Sequence, residues 1–207
     1  MRQTLNLERS LRYLLAFTPA AVLPAAARAQ RSVPDAVLQS GTLSFTGHAT
    51  VGDFVGSTTR VSGALIGGGE YSTTHGWVDA TVSTLLTGNE RRDRDLRASM
   101  EVNRYPTMHF DLTGATFVTS SFGSPDSTVM VLHGALSIHG VMHAVDLPAT
   151  IVRRADTTRV TSTFPLDLND YAIGGLTKMF GLLRMQREIE VRVDLRFVDR
   201  APVAAGR

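Results

Sequence analysis

Four histidines stand close together in the second half of the chain: His109, His133, His139 and His143. Imidazole ligates metals and moves protons near neutral pH, so such a cluster is the first place to look for chemistry. A zinc centre needs three or four ligands converging at about 2.0–2.3 Å. His109 is out of step with Met108, Phe110 and Leu112, an alternating apolar set, so it points away from them. His139 precedes Gly140 and reads as part of a tight turn. These placements do not favour a shared site, and neither a metal nor a cofactor is expected. His48, near the first strand, reads as a hydrogen-bonded strand histidine. Asp93 and Asp95 are two apart in a helical stretch and face different ways, so they do not form an acid–base pair. The chain has no G-x-S-x-G elbow, no H-E-x-x-H helix and no dinucleotide glycine motif. Gly67, Gly68 and Gly69 lack the lysine of a phosphate loop and read as a turn. No catalytic residue is assigned.

The elements around these residues are mostly strands. Leu43 and Phe45 alternate with polar neighbours, as do Val61 and Leu65. The stretch from Trp77 to Leu86 continues the pattern with Val78, Ala80 and Val82 on one face. A charged helix follows, with Thr87 and Glu90 at the spacing of a capping box, Leu96 and Met100 on one edge, and Pro106 as its stop. Tyr105 to Leu112 returns to strand. Val129 to Ile138 is apolar on both faces, so its inward side stays undetermined. Val145 and Leu147 lead back from the His139–Gly140 hairpin, and Phe164 and Leu166 lie on the next strand. The last strand is the clearest: Ile189, Val191, Val193, Leu195 and Phe197 alternate with Glu188, Glu190, Arg192, Asp194 and Arg196. About eight strands joined by short turns imply an all-β fold, a closed antiparallel barrel with one short inserted helix.

Several of these stretches carry a family likeness. The run Arg94-Asp95-Leu96-Arg97 and the segment Tyr105 to Phe110 (YPTMHF) resemble the YceI-like family. So do Gly47 to Gly56, Leu136 to Val141 (LSIHGV) and Asp170-Tyr171-x-Ile173. The likeness spans about residues 40 to 198. It implies a periplasmic, lipocalin-like barrel that binds a polyisoprenoid lipid.

Composition bounds the rest. Arg2, Arg9 and Arg12, then an apolar run from Tyr13 to Ala27, then Ala27-Arg28-Ala29, have the form of a secretory signal over residues 1–29. The run is too short to span a bilayer. Residues 30–40 read as a leader, 41–199 as the barrel and 200–207 as a tail. Losing four arginines and one glutamate with residues 1–29 takes the formal net charge from +2 to −1. That leaves no field favouring nucleic acid. The chain has no cysteine, so a packed core and not disulfides must hold an exported fold. Nothing in the sequence sets an oligomeric state.

Alternation does not say whether the apolar face points inward. A membrane barrel carries two aromatic girdles, and this chain has one Trp and four Tyr. A charged helix is also inserted between strands, and the chain ends in a polar tail. These features favour apolar residues inside. Small inward residues, among them Gly63, Ala80, Ala149 and Ser162, leave room in the interior. An eight-strand barrel is either filled by its own side chains or holds one small ligand. The residues leave both open; the family likeness implies a cavity. Its expected lining is Leu43, Phe45, Val61, Leu65, Val78, Ala80, Val82, Met108, Phe110 and Leu112. From the second half come Val145, Leu147, Phe164, Leu166, Ile189, Val191, Val193 and Leu195. The expected ligand is an apolar lipid such as a polyisoprenoid or quinone. Arg91, Arg94 and Arg97, with Arg92 beside them, are available to a head group at the mouth. The favoured reading of all four is a solvated helix face laced with Glu90, Asp93 and Asp95.

Overall fold

The computed structural model describes residues 33–50, 52–118, 127–174, 177–178 and 183–200. The expected signal, residues 1–29, and the tail from 201 onward lie outside the described residues. The strands are β1 (Ala36–Gly47), β2 (Phe54–Thr58), β3 (Val61–Ile66), β4 (His75–Thr81), β5 (Thr107–Phe117) and β6 (Ser127–Ile138). They continue with β7 (Val141–Arg154), β8 (Thr157–Asp167), the short β9 (Thr177–Lys178) and β10 (Leu183–Arg184), and β11 (Glu188–Asp199). One α-helix, α1 (Glu90–Ser99), lies between β4 and β5. β1 begins inside the stretch read as leader.

The sheet closes on itself. Its order is β11-β8-β7-β6-β5-β4-β3-β1, and β11 pairs back onto β1. β2 pairs with Leu43–Gly47 of β1, while β3 pairs with Ala36 and Val37. The two share one stave of the wall, which makes eight staves in all. Closure leaves no long edge to pair with another chain.

Register decides which face is apolar. Across the closing seam Leu43 meets Val193 and Phe45 meets Val191. On the other side of β11, Val191 meets Phe164 and Ile189 meets Leu166. The same parity carries Glu190, Arg192 and Asp194 to the outer wall. There the Arg159 guanidinium bonds the Asp194 carboxylate at 2.8 Å and holds its pKa below the ordinary range. Slipping β11 by one residue would turn five charged side chains inward. Apolar inside and charged outside is the reverse of a lipid-facing barrel. Register also settles β6. Met130 lies opposite Ala149 and Leu132 opposite Leu147, so both point inward, and Met130 is fully buried.

Two inward glycines let large rings lie flat along the wall. A Cβ on Gly56 would stand 2.3 Å from the Phe45 ring, and one on Gly134 would stand 2.7 Å from the Phe110 ring. The β6–β7 hairpin turns at His139 (φ 52°) and Gly140 (φ 77°). Positive φ at both central residues is what a two-residue hairpin matching strand twist needs.

Three local expectations are corrected. The strand after Trp77 stops at Thr81, and Val82–Thr84 form a 3-10 turn. The Val82 amide bonds the Pro106 carbonyl at 2.9 Å and the Leu85 amide bonds the Val82 carbonyl at 3.1 Å, so the chain curls under the barrel. The cap of α1 is Asn89, whose side chain accepts from the Arg91 and Arg92 amides, both at 3.1 Å. Thr87 instead donates its hydroxyl to Asp93. The helix also ends well before Pro106. Glu101 adopts φ 43°, and the Glu101 and Val102 amides bond the Ala98 and Arg97 carbonyls. Those two bonds form a Schellman stop, here with a non-glycine residue in the left-handed position.

Phe197, 1 % exposed, packs with Ala36, Ala149, Val160 and Leu195 at the end of the barrel away from α1. Phe197→Ala should cost about 3–5 kcal/mol in urea unfolding. A loss under about 1 kcal/mol would mean that this end is not packed as described.

Candidate functional site

The barrel interior contains two apolar lobes that share part of their lining. One, of about 550 Å³, lies towards the end bounded by Val33, Pro34, Tyr71 and Arg153. The other, of about 670 Å³, lies beneath α1. Leu43, Met108, Leu136 and Phe164 line both and form a waist between them. Each lobe falls within the range of small-molecule sites, about 300–1,000 Å³.

Three pieces of structure close the helix end. Leu96 and Met100 turn their shared edge of α1 down onto Phe45, Leu136, Ile138, Phe164 and Leu166. The turn with buried Val82 and Leu85 lies beside them. Leu168, Tyr171 and Ile173, all buried, cover a third side. The hairpin pins this last segment. His139 Nδ1 donates to the Tyr171 carbonyl at 3.1 Å, and His143 Nε2 donates to the Asp170 carbonyl at 2.9 Å. Tyr105 packs edge-on against the His139 ring. Burial, with the nearby Asp170 charge, pushes the Tyr171 phenol above its ordinary pKa.

Most of the residues expected from alternation do reach the interior space. Leu65, Val78, Ala80, Phe110, Leu112, Leu147, Val193 and Leu195 line the first lobe. Phe45, Leu166, Ile189 and Val191 line the second, and Leu43, Met108 and Phe164 line both. Three do not form either wall. Val82 sits on the 3-10 turn, packed into the plug beneath the helix. Val61 closes with Leu195 over Gly41, within 2.9 Å of where a Cβ would stand there. Val145 packs sideways into the core from its place opposite Gly134. Leu132 and Leu136 of β6 join the lining; the two-faced pattern of that strand concealed them.

The arginines separate. Arg91 and Arg92 line the helix-end lobe. Arg94 and Arg97 do not; Arg94 reaches Glu90 at 3.9 Å on an exposed face. Arg92 lays its guanidinium over the Phe54 ring at 4.3 Å. At the opposite end, Arg153 points inward from β7. It bonds Asp199 at 3.2 and 2.5 Å and Thr158 at 2.8 Å.

The histidines are held apart, each by its own partner. His109 bonds Asp79 at 2.6 Å, His133 bonds Asp146 at 2.6 Å, and His48 meets Asp53 at 2.8 Å. Among the described residues no three His, Asp or Glu side chains gather as metal ligands. No helix among them is long and apolar enough to cross a membrane.

A closed eight-stave barrel, one helix over one end and an apolar interior now have a family to match. The YceI-like domain aligns with residues 36–197. The chain belongs to the YceI-like family. Solved structures agree on the fold. A polyisoprenoid binding domain from Saccharophagus degradans, implicated in plant cell wall breakdown, superposes with a TM-score of 0.66 at 14% identity, over 81% of this chain and 99% of that one. Burkholderia cenocepacia BcnA gives 0.61 at 13% identity, over 75% and 95%. The Campylobacter jejuni YceI protein gives 0.50 at 17% identity, over 61% and 73%. No curated protein matches the sequence of this YceI-like chain significantly.

Asp93 fixes the helix that roofs the site. The Thr87 hydroxyl and amide reach its carboxylate at 2.6 and 2.8 Å. The Thr87 hydroxyl does most to hold the Asp93 pKa below the ordinary value; Arg97 and Arg92 help, and burial opposes. A lowered folded-state pKa contributes stability that is fully present above about pH 4 and is lost as pH falls through the folded value. Asp93→Asn should therefore cost about 1.5 kcal/mol at pH 7 and clearly less near pH 2. Urea unfolding at both pH values checks this, and an equal loss at both would contradict it.

Proposed function

We propose that this YceI-like chain is an exported carrier that holds one apolar chain of isoprenoid type inside its barrel and performs no covalent chemistry on it. The observation that carries the reading is the pair of apolar lobes joined at the waist of Leu43, Met108, Leu136 and Phe164. Burying a methylene is worth about 0.8 kcal/mol, so one five-carbon isoprene unit brings about 3–4 kcal/mol before ordering costs. A few units suffice for useful affinity, and the two lobes in series suit a chain longer than either one. Polyisoprenoid binding in the similarly folded Saccharophagus degradans domain supports the choice of ligand. The signal-like pattern of residues 1–29 supports export to the periplasm or beyond. A filled barrel acting through its surface is disfavoured by the volume of the two lobes. A lipid-modifying enzyme is the weaker reading, because the chain carries no G-x-S-x-G or H-E-x-x-H motif.

Protein purified without detergent should release an isoprenoid-type lipid into organic solvent, seen by mass spectrometry. Repeated preparations with none would count against the reading. Met108→Trp, which blocks the waist, should weaken a fluorescent prenyl probe by tenfold or more, about 1.4 kcal/mol. Unchanged binding by a folded Met108→Trp protein would place the ligand elsewhere.

A further inference from the structure

Among the described residues two buried side-chain atoms have no hydrogen-bond partner, Arg92 Nε and His139 Nε2. His139 Nε2 has the Glu101 carboxylate 3.5 Å away, outside the lobes. Arg92 is different, because its side chain lines the helix-end lobe. The Phe54 ring covers one face of its guanidinium. Neighbouring carboxylates are engaged with other groups: Asp93 with Thr87, Glu90 with Arg94, and Asp53 with His48. A buried donor on a charged group left without an acceptor is among the more expensive defects a fold can carry. An oxygen arriving with a ligand removes it.

The charges around that donor say what kind of oxygen fits. Arg91 and Arg92 line the lobe, and so do Asp53 and Asp95. Two positive and two negative side chains leave the wall formally neutral. Asp53 and Arg91 are exposed to water and Asp53 is paired with His48, so these charges act weakly, and negative charge beyond the one that Arg92 meets gains a head little. The opposite lobe offers no competing donor of this kind. Arg153 there has both terminal nitrogens bonded to Asp199 and one also to Thr158.

Resting on the carrier reading above, we propose that Arg92 selects the ligand by its head and sets its direction. The head carries one accepting oxygen and at most one negative charge, as in a quinone carbonyl or a carboxylate. It sits beneath α1 on Arg92 Nε, and the tail runs past the waist towards Arg153. A diphosphate head gains nothing there from its further charges.

The test uses prenyl chains of one length bearing a benzoquinone, a carboxylate, a diphosphate or no head. Binding to the full secreted chain is measured by calorimetry. The quinone or the carboxylate should bind best, and the diphosphate no more tightly than the carboxylate. Arg92→Met, which keeps an apolar contact with Phe54, should lower affinity for the preferred head by about tenfold, the worth of one charge-assisted hydrogen bond. It should weaken the headed chain clearly more than the headless one, and Arg94→Met, on the exposed face, should change neither. Tightest binding of the diphosphate by the unaltered protein would overturn the proposal without any variant. So would a loss on Arg92→Met that is equal for headed and headless chains. If no probe binds at all, headless chain included, the carrier reading itself fails and this inference fails with it. If the headless chain binds and the heads make no difference, only the inference fails.

Discussion

The closing seam between β1 and β11 is the constraint on which the rest depends. A barrel of antiparallel strands can close only in a register where each strand presents the same parity to the inside. The pairs Leu43 with Val193 and Phe45 with Val191 set that parity at the seam. The pairs of Val191 with Phe164 and of Ile189 with Leu166 pass it on to β8. The five outward charged residues of β11 make the alternative register costly, so one strand near the end of the chain fixes the inside for all eight staves. Apolar burial then both holds the fold and creates the site, since both draw on the same side chains.

Those side chains do not fill the space they enclose. Gly56 and Gly134 let the rings of Phe45 and Phe110 lie back along the wall, and Ala80 and Ser162 take little of the space they line. Ser162 meets its own need by donating to the Pro148 carbonyl at 2.6 Å, so it brings no unmet polar demand into the cavity. The two ends differ in kind. Around Arg153 the polar groups bond one another. Under α1 the plug is made of separate pieces: the helix edge, the turn at Val82 and the segment around Tyr171, joined by single hydrogen bonds and side-chain contacts. An end assembled from separate pieces opens more readily than a ladder of strands.

Much of this was legible in the chain. The strict alternation of β11 named its inward face correctly, and the same period placed Leu43, Phe110 and Phe164. Leu96 and Met100 proved to be the buried edge of the helix, and His139–Gly140 the tight hairpin. The misses have physical causes. Val82 keeps the strand period, but the bond from its amide to Pro106, 24 positions on, bends the chain out of the sheet. β6 is apolar on both faces, so only its pairing with β7 could orient it. Asn89 and Thr87 are both good caps, and the competition was settled by Asp93 taking the Thr87 hydroxyl. The arginines of α1 look alike in sequence. Which of them enters the cavity depends on the roll of the helix, and Phe54, which holds Arg92 there, comes from a strand far earlier in the chain. Cavity volume depends on how rings and chains pack together, which no single position encodes.

The central claim is that an apolar chain lies inside the wall and crosses the waist. Methyl-labelled protein with a bound prenyl chain tests it by nuclear Overhauser contacts. Contacts from chain protons to the methyls of Leu43, Met108 and Leu136 are the expected result. Contacts confined to outward methyls such as Val55, with the waist silent, would contradict the account.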